Sequence, residues 1–174
     1  MKKIILSIAM LVIASCAFAA DAEYLIKQYK KVSGAKYENI TKRMKKEAKK
    51  QKYTNPKEYE LSQRIKKAHL VMVVLSAEQR EVLTKNISEV DNYKCLYQKN
   101  SNTENMLSKE FSLFLNREYY GIEEDGVIKD AIIRIDAHSG GAIQTIIFHA
   151  NGEMTIEELM GIMQLNETKN INIK

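Results

Sequence analysis

The hydrophobic and polar positions of this chain change their spacing near Asn92. Before it, apolar residues recur mostly at helical intervals; beyond it they alternate. Asp21 to Val32 places Leu25, Tyr29 and Val32 on one side of a helix and Lys27, Lys30 and Lys31 on the other. Ser33-Gly34 ends it. Lys36 to Ile40 is a short strand. Thr41 is placed to cap a second helix in which Met44 and Ala48 share a face. "YTNP" breaks that helix, because Pro56 lacks a donor and restricts Asn55. Lys57 to Lys67 reads as a third helix, with Leu61 and Ile65 four apart. "HLVMVVL", His69 to Leu75, is apolar on both faces, as in a strand flanked by helices. His69 opens it, near the surface. Ser76 and Gln79 form a capping box for a helix whose stripe is Val82, Leu83, Ile87 and Val90.

Alternation then predicts four strands, Tyr93 to Gln98, Glu110 to Asn116, Val127 to Asp136 and Ala142 to His149. Phe111, Leu113 and Leu115 point one way in the second of these, Ile133 and Ile135 in the third. "EEDG", "HSGG" and Asn151-Gly152 carry turn chemistry. Thr155 and Glu158 form another capping box, before a helix burying Ile156, Leu159, Met160 and Met163. The order of elements predicts an α+β fold, a single mostly antiparallel sheet of five to six strands with helices packed on it. One domain spans residues 20–165, followed by a flexible polar tail at 166–174.

Ahead of the domain, Lys2 and Lys3 precede an apolar run from Ile4 to Ile13 and a stretch of small residues. That is the layout of a secretory signal peptide. The run is half the roughly twenty residues that a bilayer span needs. Ala17 and Ala19 suit signal peptidase, giving a signal at 1–19 and a mature chain from Ala20. The alternative is a lipobox, Ile13-Ala14-Ser15-Cys16, which ends the signal at 15 and lipidates Cys16. The Ala-Phe-Ala site is the cleaner of the two. The protein is expected in the periplasm or otherwise exported, or as an outer-membrane lipoprotein if Cys16 is acylated.

Export changes how the rest is read. The only cysteine certain to be in the mature chain is Cys95, so the chain has no internal disulfide. Cys95, in the alternating "YKCLYQ", reads as a small core residue. Charge is divided unevenly. Residues 21–67 hold 15 Lys and Arg against 6 Asp and Glu; residues 68–174 hold 10 against 16. Lys42, Arg43, Lys45, Lys46, Lys49 and Lys50 form the densest group and are the candidate binding residues. Outside the cytoplasm, anionic lipid or an acidic envelope protein is a better partner for them than nucleic acid.

The short strand and helix start "YENITKRM", the strand–helix "HLVMVVLSAEQREVL", "YKCLYQ" and the ending "IIFHANGEMTIEELMGIM" together carry a resemblance. The chain resembles a family of small exported bacterial proteins, common in Bacteroidota, that is classed as a domain of unknown function. It departs from that pattern in a lysine-rich insertion from Lys45 to Lys57. The resemblance implies export and an α+β fold, and no activity.

No motif names a reaction. Asp136, His138 and Ser139 in "DAHSGG" are neighbours at a hairpin tip, where nothing orders them into a triad. His149 ends a strand without a matching ligand. His69, His138 and His149 lack metal spacing, and "EEDG" lacks that of a calcium loop. There is no phosphate loop. "YYG", Tyr119 to Gly121, falls in a connection where tyrosines could serve recognition. The expectation is a non-enzymatic envelope module without cofactor or metal, binding through its sheet or its basic helix. The alternatives are an enzyme using His149, Asp136 or Tyr119 on an envelope substrate, and a regulatory partner of a membrane signalling system.

Overall fold

The computed structural model describes residues 21–100, 114–139 and 141–162. The Asp21 carboxylate accepts the Tyr24 amide at 2.5 Å and caps α1 (Ala22–Tyr29). β1 (Lys36–Asn39) follows, and then α2 (Thr41–Lys50). Thr41 does not cap α2, since the N-cap is Ile40 and has no side-chain acceptor. The Thr41 hydroxyl instead grips β2, accepting the Ala68 amide at 2.8 Å and donating to the Ala68 carbonyl at 3.3 Å. Asn55 caps α3 (Pro56–Arg64), with Pro56 in its first turn where no donor is needed.

The third helix is shorter than its spacing predicts. It ends at Arg64, and Ile65 already begins β2 (Ile65–Val74). The register shifts between Ile65 and Lys67, so Ile65 and Ala68 bury on one face although they lie three apart. A bulge thus copies helical spacing within a strand. Ser76 opens α4 (Ala77–Ser88) with both bonds of the capping box in place. β3 (Lys94–Asn100), β4 (Phe114–Glu124), β5 (Val127–Ser139) and β6 (Ala142–Met154) complete the sheet. Asp125 and Gly126, both at positive φ, make the tight turn from β4 to β5. Thr155 and Glu158 exchange the second capping box and start α5, described over 156–162.

The six strands form one open sheet in the order β1-β2-β6-β5-β4-β3, every neighbouring pair antiparallel. Apolar layers lie on both sides. In front, Phe148, Ile133, Ile135 and Leu70 pack with Leu61 of α3 and Leu159 of α5. Behind, Val71, Ile132 and Ile147 pack with Leu25 and Ile26 of α1 and Leu83 and Ile87 of α4. The chain is α+β, as its pattern of elements predicts.

Three strand readings need correction. β4 runs through Tyr119-Tyr120-Gly121, which is no connection: Tyr119 buries in front and Tyr120 behind. Its charged residues read like a loop in sequence, yet Glu118 is buried in the strand. Asn151-Gly152 is not a turn, since β6 continues to Met154 and Gly152 sits opposite Ile65 at the bulge. Cys95 is exposed on the edge strand β3 and is not a core residue. The proposed signal peptide, Phe111 and Leu113, Met163 and the tail lie outside the described residues.

Candidate functional site

Alternation sends Glu118, Arg134, Asp136, Thr145 and His149 to the back of the sheet, where α1 and α4 cover them. An apolar belt of Val71, Ile147, Ile132 and Tyr120 divides these polar residues into two islands.

The first island lies under α4. Arg134 Nη2 donates to Asp136 Oδ2 at 2.5 Å, and Nη1 reaches Glu118 Oε2 at 3.3 Å and the Thr84 hydroxyl. Asp136 Oδ1 accepts from Thr145 at 2.7 Å, and Arg80 Nε stands 3.9 Å from Asp136 Oδ2. Glu118 Oε1 accepts from Asn116 at 2.8 Å. Arg134 is 6% exposed, Glu118 and Asp136 4% each. Such burial is tolerated because two carboxylates neutralise the guanidinium and hydroxyls fill further valences. Asp136 is therefore not a solvated hairpin residue, while His138, two residues on, is exposed. Above the island, a groove of about 550 Å³ runs along α4.

The second island crosses four strands. His149 Nε2 bonds Asp130 Oδ1 of β5 at 2.7 Å. The His149 ring stacks on His69 of β2 at 5.7 Å and 4°. His69 stacks in turn on Tyr37 of β1, whose hydroxyl meets His69 Nδ1 at 3.0 Å. His149 thus has a partner and lies within β6, and His69 is mid-strand rather than at a strand opening. His149 Nδ1 is buried without a hydrogen-bond partner. Tyr93, buried beside the Asp130 charge, has its hydroxyl pushed far up, first by burial. Tyr29 on α1, bonded to Asn86 of α4, is pushed up to about 12 by burial.

Burial is also the main cause that holds His69 below the usual histidine value, and the adjacent His149 adds to it. Glu23, Lys67 and Lys30 surround it, with Glu23 favouring its charged form and the lysines opposing it. An unfolded histidine titrates near pH 6.5, so in acid the unfolded state takes up this proton more readily than the folded one. Stability is expected to fall as pH drops through about 6.5 towards the folded pKa. His69→Phe, which keeps a ring in the stack, should show a smaller loss of melting temperature between about pH 7 and pH 5. Equal acid losses in both proteins would rule this cause out.

The sequence-predicted binding residues all lie on α2. Lys42, Arg43, Lys46, Lys49 and Lys50 are exposed and Lys45 half-buried, while Ala48 is buried and Met44 packs on the front core. Arg43 pairs with Glu38 at 3.1 Å and Lys50 with Glu47 at 2.8 Å, both exposed pairs. Just past the helix, Tyr53 is 91% exposed, with the Lys52 ammonium 5.7 Å from its ring. Sequence reading passed over Tyr53, although its place directly after the basic run was the available signal. Cys16 lies outside the described residues.

The residues singled out for catalysis do not converge. His149 and Asp136 face the back of the sheet, in different islands, and Tyr119 faces the front. Among the described residues no group of three or more His, Cys, Asp or Glu could hold a metal ion. None of the described helices is long and apolar enough to cross a membrane. No protein-family model, curated protein or solved structure matches this chain.

Proposed function

We propose that the protein is an exported, non-enzymatic envelope module that docks on an anionic membrane surface through α2. The observation that carries this is the pairing of six basic residues on one ten-residue helix with an almost fully exposed tyrosine at its end. Met44 and Ala48 turn towards the protein, so docking does not require α2 to leave its place. Lysine and arginine side chains near an anionic surface contribute about 1 kcal/mol each. Tyrosine suits the headgroup boundary, having an apolar ring and a polar tip. Both faces of the sheet carry buried apolar layers, so the docking surface is assigned to the helix and not to a sheet face. Membership of the exported Bacteroidota family and the periplasmic address belong to the same proposal, supported by the leader-like first 19 residues.

Co-sedimentation with vesicles rich in phosphatidylglycerol tests it. Replacing Lys45, Lys46, Lys49 and Lys50 by Gln should weaken binding by roughly a hundredfold or more at low salt. Tyr53→Ser should weaken it less, and raised salt should weaken the wild type. Equal binding by wild type and the quadruple variant would remove α2 from the account.

A further inference from the structure

We propose that the ring stack of the second island is an acid-sensitive latch, which holds α1 on the sheet at neutral pH and releases it in acid. His69 and His149 are direct cross-strand partners on β2 and β6. Their rings lie parallel, with centroids 5.7 Å apart. α1 packs against both of these strands. Its Leu25 and Ile26 join one apolar cluster with Val71 and Ile147, each two residues along from a histidine. Two further contacts tie α1 to the row: Glu23 pairs with Lys67 of β2, and the Lys30 ammonium stands 4.9 Å from the Tyr37 ring.

The closed row accommodates two charged rings poorly. Imidazolium groups at this spacing repel each other, and under α1 little water is there to screen them. His149 is 1% exposed, with Nε2 on Asp130 and Nδ1 buried without a partner. A proton on Nδ1 would be an unpaired buried donor. Facing the pair are Glu23 and Lys30 from α1, Tyr37 from β1, Lys67 from β2 and Asp130 from β5, with Tyr93 and Asp21 beyond Asp130. The carboxylates favour a first proton and the lysines oppose it. Above about pH 5 exposed carboxylates ordinarily keep their charge, so the histidines are the groups that titrate. α1 is the element that can yield. It has eight residues, is the first described element and belongs to no strand pairing, so its release leaves the sheet intact. Water then reaches both rings, each takes a proton near its ordinary value of about 6.5, and acid favours the open form. The latch does not depend on docking through α2.

Amide hydrogen exchange along the folded chain, corrected for the intrinsic effect of pH, tests it. The helical amides of Leu25 and Lys30 report on α1, and those of Leu83 and Ile87 on α4. From about pH 7.5 to about pH 5 the opening constant of α1 should rise about ten- to thirtyfold, the range that one extra histidine proton gives. That of α4 should rise less than about threefold over the same interval. His69→Phe keeps a ring in the stack and should hold the α1 rise below about threefold; His69→Gln serves in its place if the first variant fails to fold. Three results would overturn the latch: no acid rise at α1, an equal rise at α4, or a full rise at α1 in the variant. The second would mean that acid loosens the whole fold together.

Discussion

Arg134→Leu is expected to cost about 3–5 kcal/mol of stability. The reason lies in what the substitution leaves behind. Glu118 and Asp136 are each 4% exposed, and Arg134 is the cation between them. Glu118 would keep Asn116 and Thr84, and Asp136 would keep Thr145 and the more distant Arg80 at 3.9 Å. These neighbours soften the loss without replacing a charge. The comparison that separates pairing from packing is the triple variant with Leu at 118, 134 and 136. It removes the charges together and should lie within about 2 kcal/mol of wild type, because buried ion clusters gain little over an apolar filling. Urea denaturation with unchanged m-values gives both numbers. A single variant as stable as wild type would show that water reaches the island freely.

Gly152→Ala should be comparably damaging, at about 2–5 kcal/mol, for a different reason. Gly152 sits at φ 149°, and a Cβ there would lie 2.5 Å from the Arg64 carbonyl oxygen and 2.7 Å from the Ile65 Cα. Both obstacles are backbone at the junction of α3 and β2, so neither can rotate aside. Gly34 supplies the control. Its φ is 79°, but nothing lies within 4 Å of an added Cβ. Gly34→Ala should therefore cost only the conformational part, on the order of 1 kcal/mol. If the two alanine variants prove equally stable, the contact between β6 and the α3–β2 junction is not tight.

These two sites mark where the sequence could and could not be read. Spacing and caps are local, so α1, α4, the two capping boxes and the α+β class were legible from residues such as Leu25, Tyr29, Ser76, Gln79, Thr155 and Glu158. Strand ends were not, because two non-local effects hid them. The bulge between Ile65 and Lys67 placed apolar residues three apart in a strand. The polar back face put Glu118, Arg134, Asp136 and His149 at positions that alternation assigns to solvent. Whether such a face is wet or covered depends on where α1 and α4 land, which no single strand records. The basic helix was legible for the opposite reason: its charges stay exposed, so their sequence pattern is also their surface pattern. The exposed Cys95 was misread because an edge strand alternates like a central one.

The docking proposal is joined to export, because the side of the membrane that α2 meets is set by whether the chain leaves the cytoplasm. Mass spectrometry of the N-terminus, on protein recovered from separated cytosolic and envelope fractions, tests this most directly. The account predicts envelope-fraction protein beginning at Ala20; intact chain starting at Met1 and found in the cytosol would contradict it.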